Sequence, residues 1–437
     1  MTSTTNRRQI STFKRGPNLP PGPPQLLIVG NILSPPPTDT YGPVSSITAL
    51  GLTLIIIHDR DAAQYILGKK AHKISARPQL NFATLCGFKS FLITHQYDET
   101  YQLHRRLVHV QIGTRALSER FEGVQERESL TIRCKLAAAI TLKITYGYSI
   151  NRMGTDLLVE LIEHAMEHLS LAFVPCSWII DAIPAIERLP QGFPGLSYRK
   201  IARQWKAVNE AAAEIPYAFV RQQMAQGIHR ASYVSNLLES KAGAEDDETI
   251  KWTAVSLYAA GLDSTVAILT SVILVLVMFP EVQVRAQKEI NSLIGTGESR
   301  LPTFSDRKDL PYIDGDQDII YKYYLIPKGA YRLPSMWWFL HDPKTYSDLE
   351  VFKPERYMVP LGEPDPSDIA FGYGRRACAG RFFADASVYI TIVQMLAVFR
   401  FRKARDAQGN DIDVKLEAVP GIVNKPKPFK FGIEPRS

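Results

Sequence analysis

The sequence predicts a mainly α-helical protein with a minor β portion. Three observations carry that prediction. Helical spacing of apolar residues dominates from about residue 100 to 279, β-branched residues crowd into 44–57, and short Pro- and aromatic-rich segments fill about 326–357. The 437 residues are 45% hydrophobic and 22% charged, which suits a sizeable core and excludes a disordered chain. The net charge of +7 is mildly basic, and no Lys/Arg block with interleaved aromatics points to nucleic acid. Cys86, Cys134, Cys176 and Cys378 show no CxxC or Cys/His spacing, so neither a disulfide framework nor a zinc site is expected. A reducing compartment fits, with most of these cysteines as small core residues.

Taken in order, residues 1–24 form a basic, polar segment ending in LPPGPP, which reads as an extended linker. No signal peptide or terminal anchor is predicted. Val44 to Ile57 predicts a β-hairpin, and DRDAAQYILGKK predicts a helix that starts at Asp59 and stops at Gly68. TDLLVELIEHAMEHLSLAF and RQWKAVNEAAAEIPYAFVRQQMAQG read as helices, with the proline-rich VPCSWIIDAIPAIERLPQGFPGL between them as loop or broken helix. AEDDE (Ala244 to Glu248) reads as a solvated run that favours the start of the next helix. The longest apolar stretch, Val266 to Phe279, has 14 residues, short of the ~20 that span a bilayer. It predicts a buried core helix.

Two stretches break the preferences of their surroundings. The first is FGYGRRACAGRFF, Phe371 to Phe383, whose glycines at 372, 374 and 380 permit turns closed to other residues. Phe382, Ala386, Tyr389, Val393 and Leu396 then recur at helical spacing, so Cys378 lies just before a helix N-terminus. Unpaired N–H groups and the dipole there favour a thiolate, and Arg375 and Arg376 add positive charge. A serine would not be a soft anionic donor at neutral pH. Three readings stand on these residues alone: an iron ligand, a core cysteine beside a glycine turn, or a nucleophile whose base lies elsewhere in the sequence. A phosphate loop lacks its lysine and hydroxyl.

The second is AGLDST within the apolar run Thr253 to Pro280, where Asp263 is the one charged residue. A mid-helix glycine costs roughly 1 kcal/mol relative to alanine, and a lone buried carboxylate costs more unless paired. Gly261, Asp263, Ser264 and Thr265 depart from helix-core preference together, as expected at a functional site. Ser and Thr hydroxyls can also bond the carbonyl one turn back and bend the helix. An amphipathic face with an ordinary capping acid is the bland alternative.

Phe371-x-x-Gly374-x-Arg376-x-Cys378-x-Gly380 matches every fixed position of the heme-binding signature of the cytochrome P-450 family. The chain resembles that family over roughly residues 20–430, with the flavour of fungal secondary-metabolism members. The resemblance implies the cytochrome P-450 fold, one large helical heme domain with minor β-sheets over 25–437. It implies heme b (iron protoporphyrin IX) with Cys378 as metal ligand, Phe371 shielding the sulfur, Gly374 and Gly380 shaping the loop, and Arg376 on a propionate. Thiolate donation to iron favours O–O cleavage, and a guanidinium fork suits a carboxylate. AGLDST resembles the oxygen-activation motif: Asp263 belongs to the proton relay, Ser264 stands at the usual threonine position, and Thr265 is next to it. Tyr101 and Arg105 occupy the positions of a W-x-x-x-R pair that contacts the propionates. The implied reaction inserts one atom of O2 into a lipophilic small molecule, with electrons from NADPH through a separate reductase. No nucleic acid is implied; a membrane surface is an admitted partner, at the endoplasmic reticulum by family, or the cytoplasm if the chain carries no anchor.

One departure is large. After LPYID (Leu310 to Asp314) the family runs into a helix bearing Glu-x-x-Arg, whose charges pair with the meander arginine, here Arg356. This sequence contains no E-x-x-R and passes directly toward its strand region. A catalytically impaired heme-binding remnant is therefore the main rival, and a peroxide-driven heme enzyme without reductase the second.

Overall fold

The structure, a computed structural model, describes residues 12–13, 20, 25–26, 42–49, 52–77, 80–129, 136–151, 154–174, 177–190, 196–240, 247–295, 300–310, 331–349, 351–358, 360–419 and 423–436. The junction that follows LPYID, with Cys134 and Cys176, lies outside the described residues. The chain forms two compact units. The first takes residues 1–78, 316–350 and 359–378, the second 79–315, 351–358 and 379–437.

In the first unit the β-branched stretch forms the expected hairpin. β1 (Val44–Ala49) pairs antiparallel with β2 (Leu52–Ile57), and β3 (Tyr331–Pro334) adds parallel to β2. The pleat puts Ile55 and Ile57 on one face, buried with Val44, Phe339, Ile369 and Tyr373. Asp59 caps the following helical turn by accepting from the Ala62 N–H at 2.7 Å, as its position in the sequence predicts. That helix runs on to Lys69, where the bonding widens and the Lys70 N–H reaches the Tyr65 carbonyl at 3.1 Å.

The second unit is helical. Its longer helices are α1 (Glu99–Ile112), α2 (Glu122–Glu128), α3 (Leu136–Tyr146), α4 (Leu157–Ala172), α5 (Ser197–Ala225), α6 (Tyr233–Glu239), α7 (Asp247–Met278), α8 (Pro280–Ile294) and α9 (Arg381–Val398). α7 spans 32 residues and is long because its sequence offers no breaker until Pro280, which then opens α8 rather than merely ending α7. Ala254, Tyr258 and Leu262 of α7 pack with Ala138 and Leu142 of α3 and Ile162 of α4; further along, Val277 packs with Ile390 and Val393 of α9. By length and composition α7 and α9 could each cross a membrane, but these contacts make them core helices. Short strands close the C-terminal part: β4 (Phe399–Lys403) with β7 (Phe431–Pro435), and β5 (Ala418–Val419) with β6 (Lys425–Pro426), both antiparallel.

Candidate active site

The cysteine loop belongs to the first unit. Its ends are tied by one backbone bond, the Cys378 N–H donating to the Phe371 carbonyl at 2.8 Å. Gly372 and Gly374 take φ of +76° and +56°, values that a side chain strains. At Gly374 a Cβ would lie 2.4 Å from the Leu67 carbonyl oxygen and 2.9 Å from the Ala71 Cβ. Nothing but glycine fits. Between them Tyr373 is buried in the unit's core, and the Arg376 Nε donates to the Ser75 carbonyl at 2.8 Å. These anchors present an exposed Cys378 thiol at the loop's end, beside a half-buried guanidinium. A soft donor facing outward on a rigid backbone, two residues from a cation, fits an iron macrocycle with acidic side chains.

Gly380 does not need the backbone freedom expected of it. Its φ is −102°, and a Cβ there would meet the Ile112 Cδ1 at 3.4 Å, close to ordinary contact. It serves as the N-cap of α9. That helix is held from its sides. The Gln125 amide of α2 donates to the Ser387 hydroxyl at 2.7 Å, Ser129 donates to the Gln394 side chain at 2.5 Å, and Arg307 binds Asp385 through two bonds of 2.7 and 3.0 Å. The Arg307 guanidinium also lies 4.7 Å from the Tyr389 ring centre.

In α7 the irregular residues find partners in distant sequence. A Cβ on Gly261 would lie 2.7 Å from the Thr141 Cγ2, so the glycine is what lets α3 approach α7. The Asp263 carboxylate is buried and paired with the Lys425 ammonium of β6. Ser264 donates its hydroxyl to the Ala260 carbonyl at 2.7 Å, one turn back as its residue type allows, and Thr265 is buried. Tyr101 and Arg105 share one face of α1, Tyr101 buried and Arg105 half-buried. Asp98 caps that helix by accepting from the Tyr101 N–H at 2.8 Å.

Phe371, Gly374, Arg376 and Cys378 thus lie in the first unit; Tyr101, Arg105, Asp263, Ser264, Thr265 and Gly380 lie in the second. Sequence reasoning missed Lys425, Arg307 and Gln125. The lone carboxylate at 263 demanded a cation, but nothing local could say that it comes from 162 residues downstream. Arg356, the meander arginine, is buried and donates to the Val351 carbonyl at 3.1 Å, while its neighbour Glu355 pairs with Arg285 of α8.

A family model described as cytochrome P-450 matches residues 20–315 and 316–433. The chain belongs to the cytochrome P-450 family. A multifunctional cytochrome P-450 monooxygenase of Aspergillus fumigatus is 57% identical over 476 positions, covering 96% of this chain and 88% of the relative. A cytochrome P-450 monooxygenase of Gibberella zeae is 42% identical, covering 97% and 90%. The O-methylsterigmatocystin oxidoreductase of Aspergillus flavus is 31% identical, covering 96% and 88%. A zebra fish cytochrome P-450 structure with abiraterone superposes with a TM-score of 0.67 at 18% identity, covering 92% of this chain and 98% of the other, which supports the fold. The protein is accordingly a heme-dependent monooxygenase of the fungal type that works with an NAD(P)H-dependent reductase and a lipophilic substrate. The family match breaks between Gly315 and Asp316. Since 96% of 437 residues is about 420, some 56 of the 476 aligned positions face gaps in this chain. This chain therefore lacks internal segments that the relative carries.

Proposed function

We propose that this chain oxygenates a lipophilic secondary metabolite, with Cys378 as the residue whose thiolate would hold the iron of heme b. The observation that carries the assignment is the exposed thiol at the end of a loop whose backbone is fixed on both sides. The heme supplies the activation of dioxygen. The chain's own residues would do the rest: Cys378 would hold the metal, Phe371 would cover the sulfur, and Gly374 would let the loop approach. Arg376, Tyr101 and Arg105 neutralise the propionates, Gly380 opens the supporting helix, and Asp263, Ser264 and Thr265 pass protons. The similarity to an O-methylsterigmatocystin oxidoreductase supports a secondary metabolite related to O-methylsterigmatocystin as substrate class.

We also place the protein on the endoplasmic reticulum membrane surface. Leu171, Val174, Ile179 and Ile183 are exposed around the break between α4 and α5, where Trp178 is held by its indole N–H on the Leu171 carbonyl at 3.0 Å and stacks on Phe82. Such a patch suits an apolar surface.

The test uses thiol chemistry and absorption together. Burial, with the nearby Asp181 charge, pushes the Cys86 thiol up to about 12, so Cys86 resists alkylation while Cys378 is open to it. Peptide mapping of the heme-free chain after iodoacetamide should find Cys378 modified and Cys86 spared, and heme should protect Cys378. The reduced, CO-bound holoprotein should show the red-shifted Soret band of thiolate ligation, and Cys378→Ser should abolish it. A variant that keeps the wild-type band would sink the assignment.

A further inference from the structure

Asp263 is the only charged side chain between Thr253 and Phe279, and it sits in the middle of a 32-residue helix. Its side chain is 8% exposed. A buried carboxylate is costly unless a cation pairs with it. The cation is Lys425, whose ammonium bonds the Asp263 Oδ1. Lys425 is 42% exposed, so one end of the pair reaches solvent and the other is buried in the helix. The neighbouring hydroxyl does not serve Asp263 in this arrangement, since Ser264 bonds the Ala260 carbonyl.

The strand that carries Lys425 is built to hold it there. β6 is two residues long, packs against α7 and pairs Lys425 opposite Val419 of β5. Pro426 fixes the backbone after it, and the next lysine, Lys427, takes a different carboxylate, Glu417, at 2.8 Å, with its N–H on the Glu417 carbonyl at 2.8 Å. Two lysines two residues apart are thus committed to separate acids, one on the surface and one in the helix.

We propose that Lys425 is a positioning residue for oxygen activation, holding the Asp263 carboxylate in place and linking it to solvent. A proton passed from the Lys425 Nζ to the Asp263 Oδ1 leaves a neutral amine and a carboxylic acid. Water reprotonates the amine, and the acid gives its proton to the dioxygen being reduced in the reaction, so both partners return to their starting charge. The inference rests on the assignment of Asp263 to proton delivery.

The experiment compares wild type, Lys425→Met, Lys425→Arg, Asp263→Asn and the Met/Asn double variant as heme-loaded chains with NADPH and reductase. No substrate is added, and NADPH oxidation is followed in H2O and D2O. Lys425→Met and Asp263→Asn should each slow oxidation about tenfold and enlarge the solvent isotope effect, with heme content and the CO-bound spectrum unchanged. The double variant should be no slower than either single one, and Lys425→Arg, whose guanidinium can pair with the carboxylate but does not release a proton, should be slowed about as much as Lys425→Met. A silent Lys425→Met beside an impaired Asp263→Asn overturns the inference and leaves the relay assignment standing. A silent Asp263→Asn overturns both. A second readout needs no turnover: acylation of Lys425 by acetic anhydride, mapped by mass spectrometry, should accelerate in Asp263→Asn. Equal acylation rates in the two chains would mean that the pair does not form in solution, and the inference fails.

Discussion

The loop that ends at Cys378 and the helix turn Ala260–Thr265 both depart from the sequence habits around them, yet different ranges of contact explain them. In the loop, each odd residue is answered within its own unit and mostly by backbone. Gly374 meets the Leu67 carbonyl, Arg376 meets that of Ser75, and Cys378 bonds Phe371, seven residues back. In the helix, the answers are side chains from remote sequence: Thr141 for Gly261 and Lys425 for Asp263. A loop locked by backbone tolerates almost no change at its turns. A helix matched by side chains can be repaired by changing the partner, and that difference orders the expected effects.

The largest effect belongs to the loop. Gly374→Ala forces a Cβ to 2.4 Å from a carbonyl oxygen at a positive φ, and a backbone atom cannot step aside as a side chain can. The expected loss is about 3 kcal/mol or more, read as a lower urea midpoint together with loss of heme retention. No second-site change at a side chain should restore it. Recovery by trimming Ala71 alone would mean that the contact with the Leu67 oxygen is not the limiting one.

Lys425→Met comes next. Breaking a buried pair costs about 3–5 kcal/mol, but Lys425 is nearly half exposed, which brings the expectation down to about 1–2 kcal/mol. Asp263→Asn in the same background should recover part of it, with a coupling near 1 kcal/mol in a double-mutant cycle by urea unfolding. Additive losses would show that the two side chains do not meet, and the contrast between loop and helix would lose one of its two supports.

These two sites also mark what the sequence made legible. The five-position signature around Cys378 could be read because every residue in it answers to local geometry. The hairpin at 44–57, the Asp59 cap and the long helix through AGLDST were legible for the same reason, since pattern and capping are local. Gly261 read as a functional irregularity, yet its space is claimed by Thr141, and helix–helix approach leaves no mark in a single sequence. Gly380 was grouped with the turn glycines, but an N-cap at φ −102° needs no such freedom. The clamps of Gln125 and Arg307 on α9 join residues about 80 to 260 positions apart, beyond the reach of any window.

Gly261→Ala sharpens the contrast further. Alanine gains up to about 1 kcal/mol of helix propensity, whereas the 2.7 Å approach to the Thr141 methyl costs about 1–3 kcal/mol by overpacking. The net loss should be about 1 kcal/mol. Thr141→Ser removes that methyl and keeps the hydroxyl bonded to the Ala137 carbonyl at 2.5 Å. The double variant Gly261→Ala/Thr141→Ser should therefore unfold at or above the wild-type urea midpoint. A double variant as weak as Gly261→Ala would show that the glycine answers to something other than α3.

Ser264→Ala should have the smallest effect on stability, and its sign is the informative part. The hydroxyl bonds a carbonyl that is already in the helix ladder, so losing it strands no donor, and alanine is the better helix former. Stability should rise by about 0.5 kcal/mol or less. Gly374→Ala, Lys425→Met and Gly261→Ala each destabilise because they leave a clash or an unpaired charge; this one leaves neither. A serine kept where alanine is the more stable choice is held there for its hydroxyl, which the relay assignment uses. If Ser264→Ala instead lowers the urea midpoint by more than about 1 kcal/mol, the hydroxyl carries structure, and its place in the helix needs no chemistry to explain it.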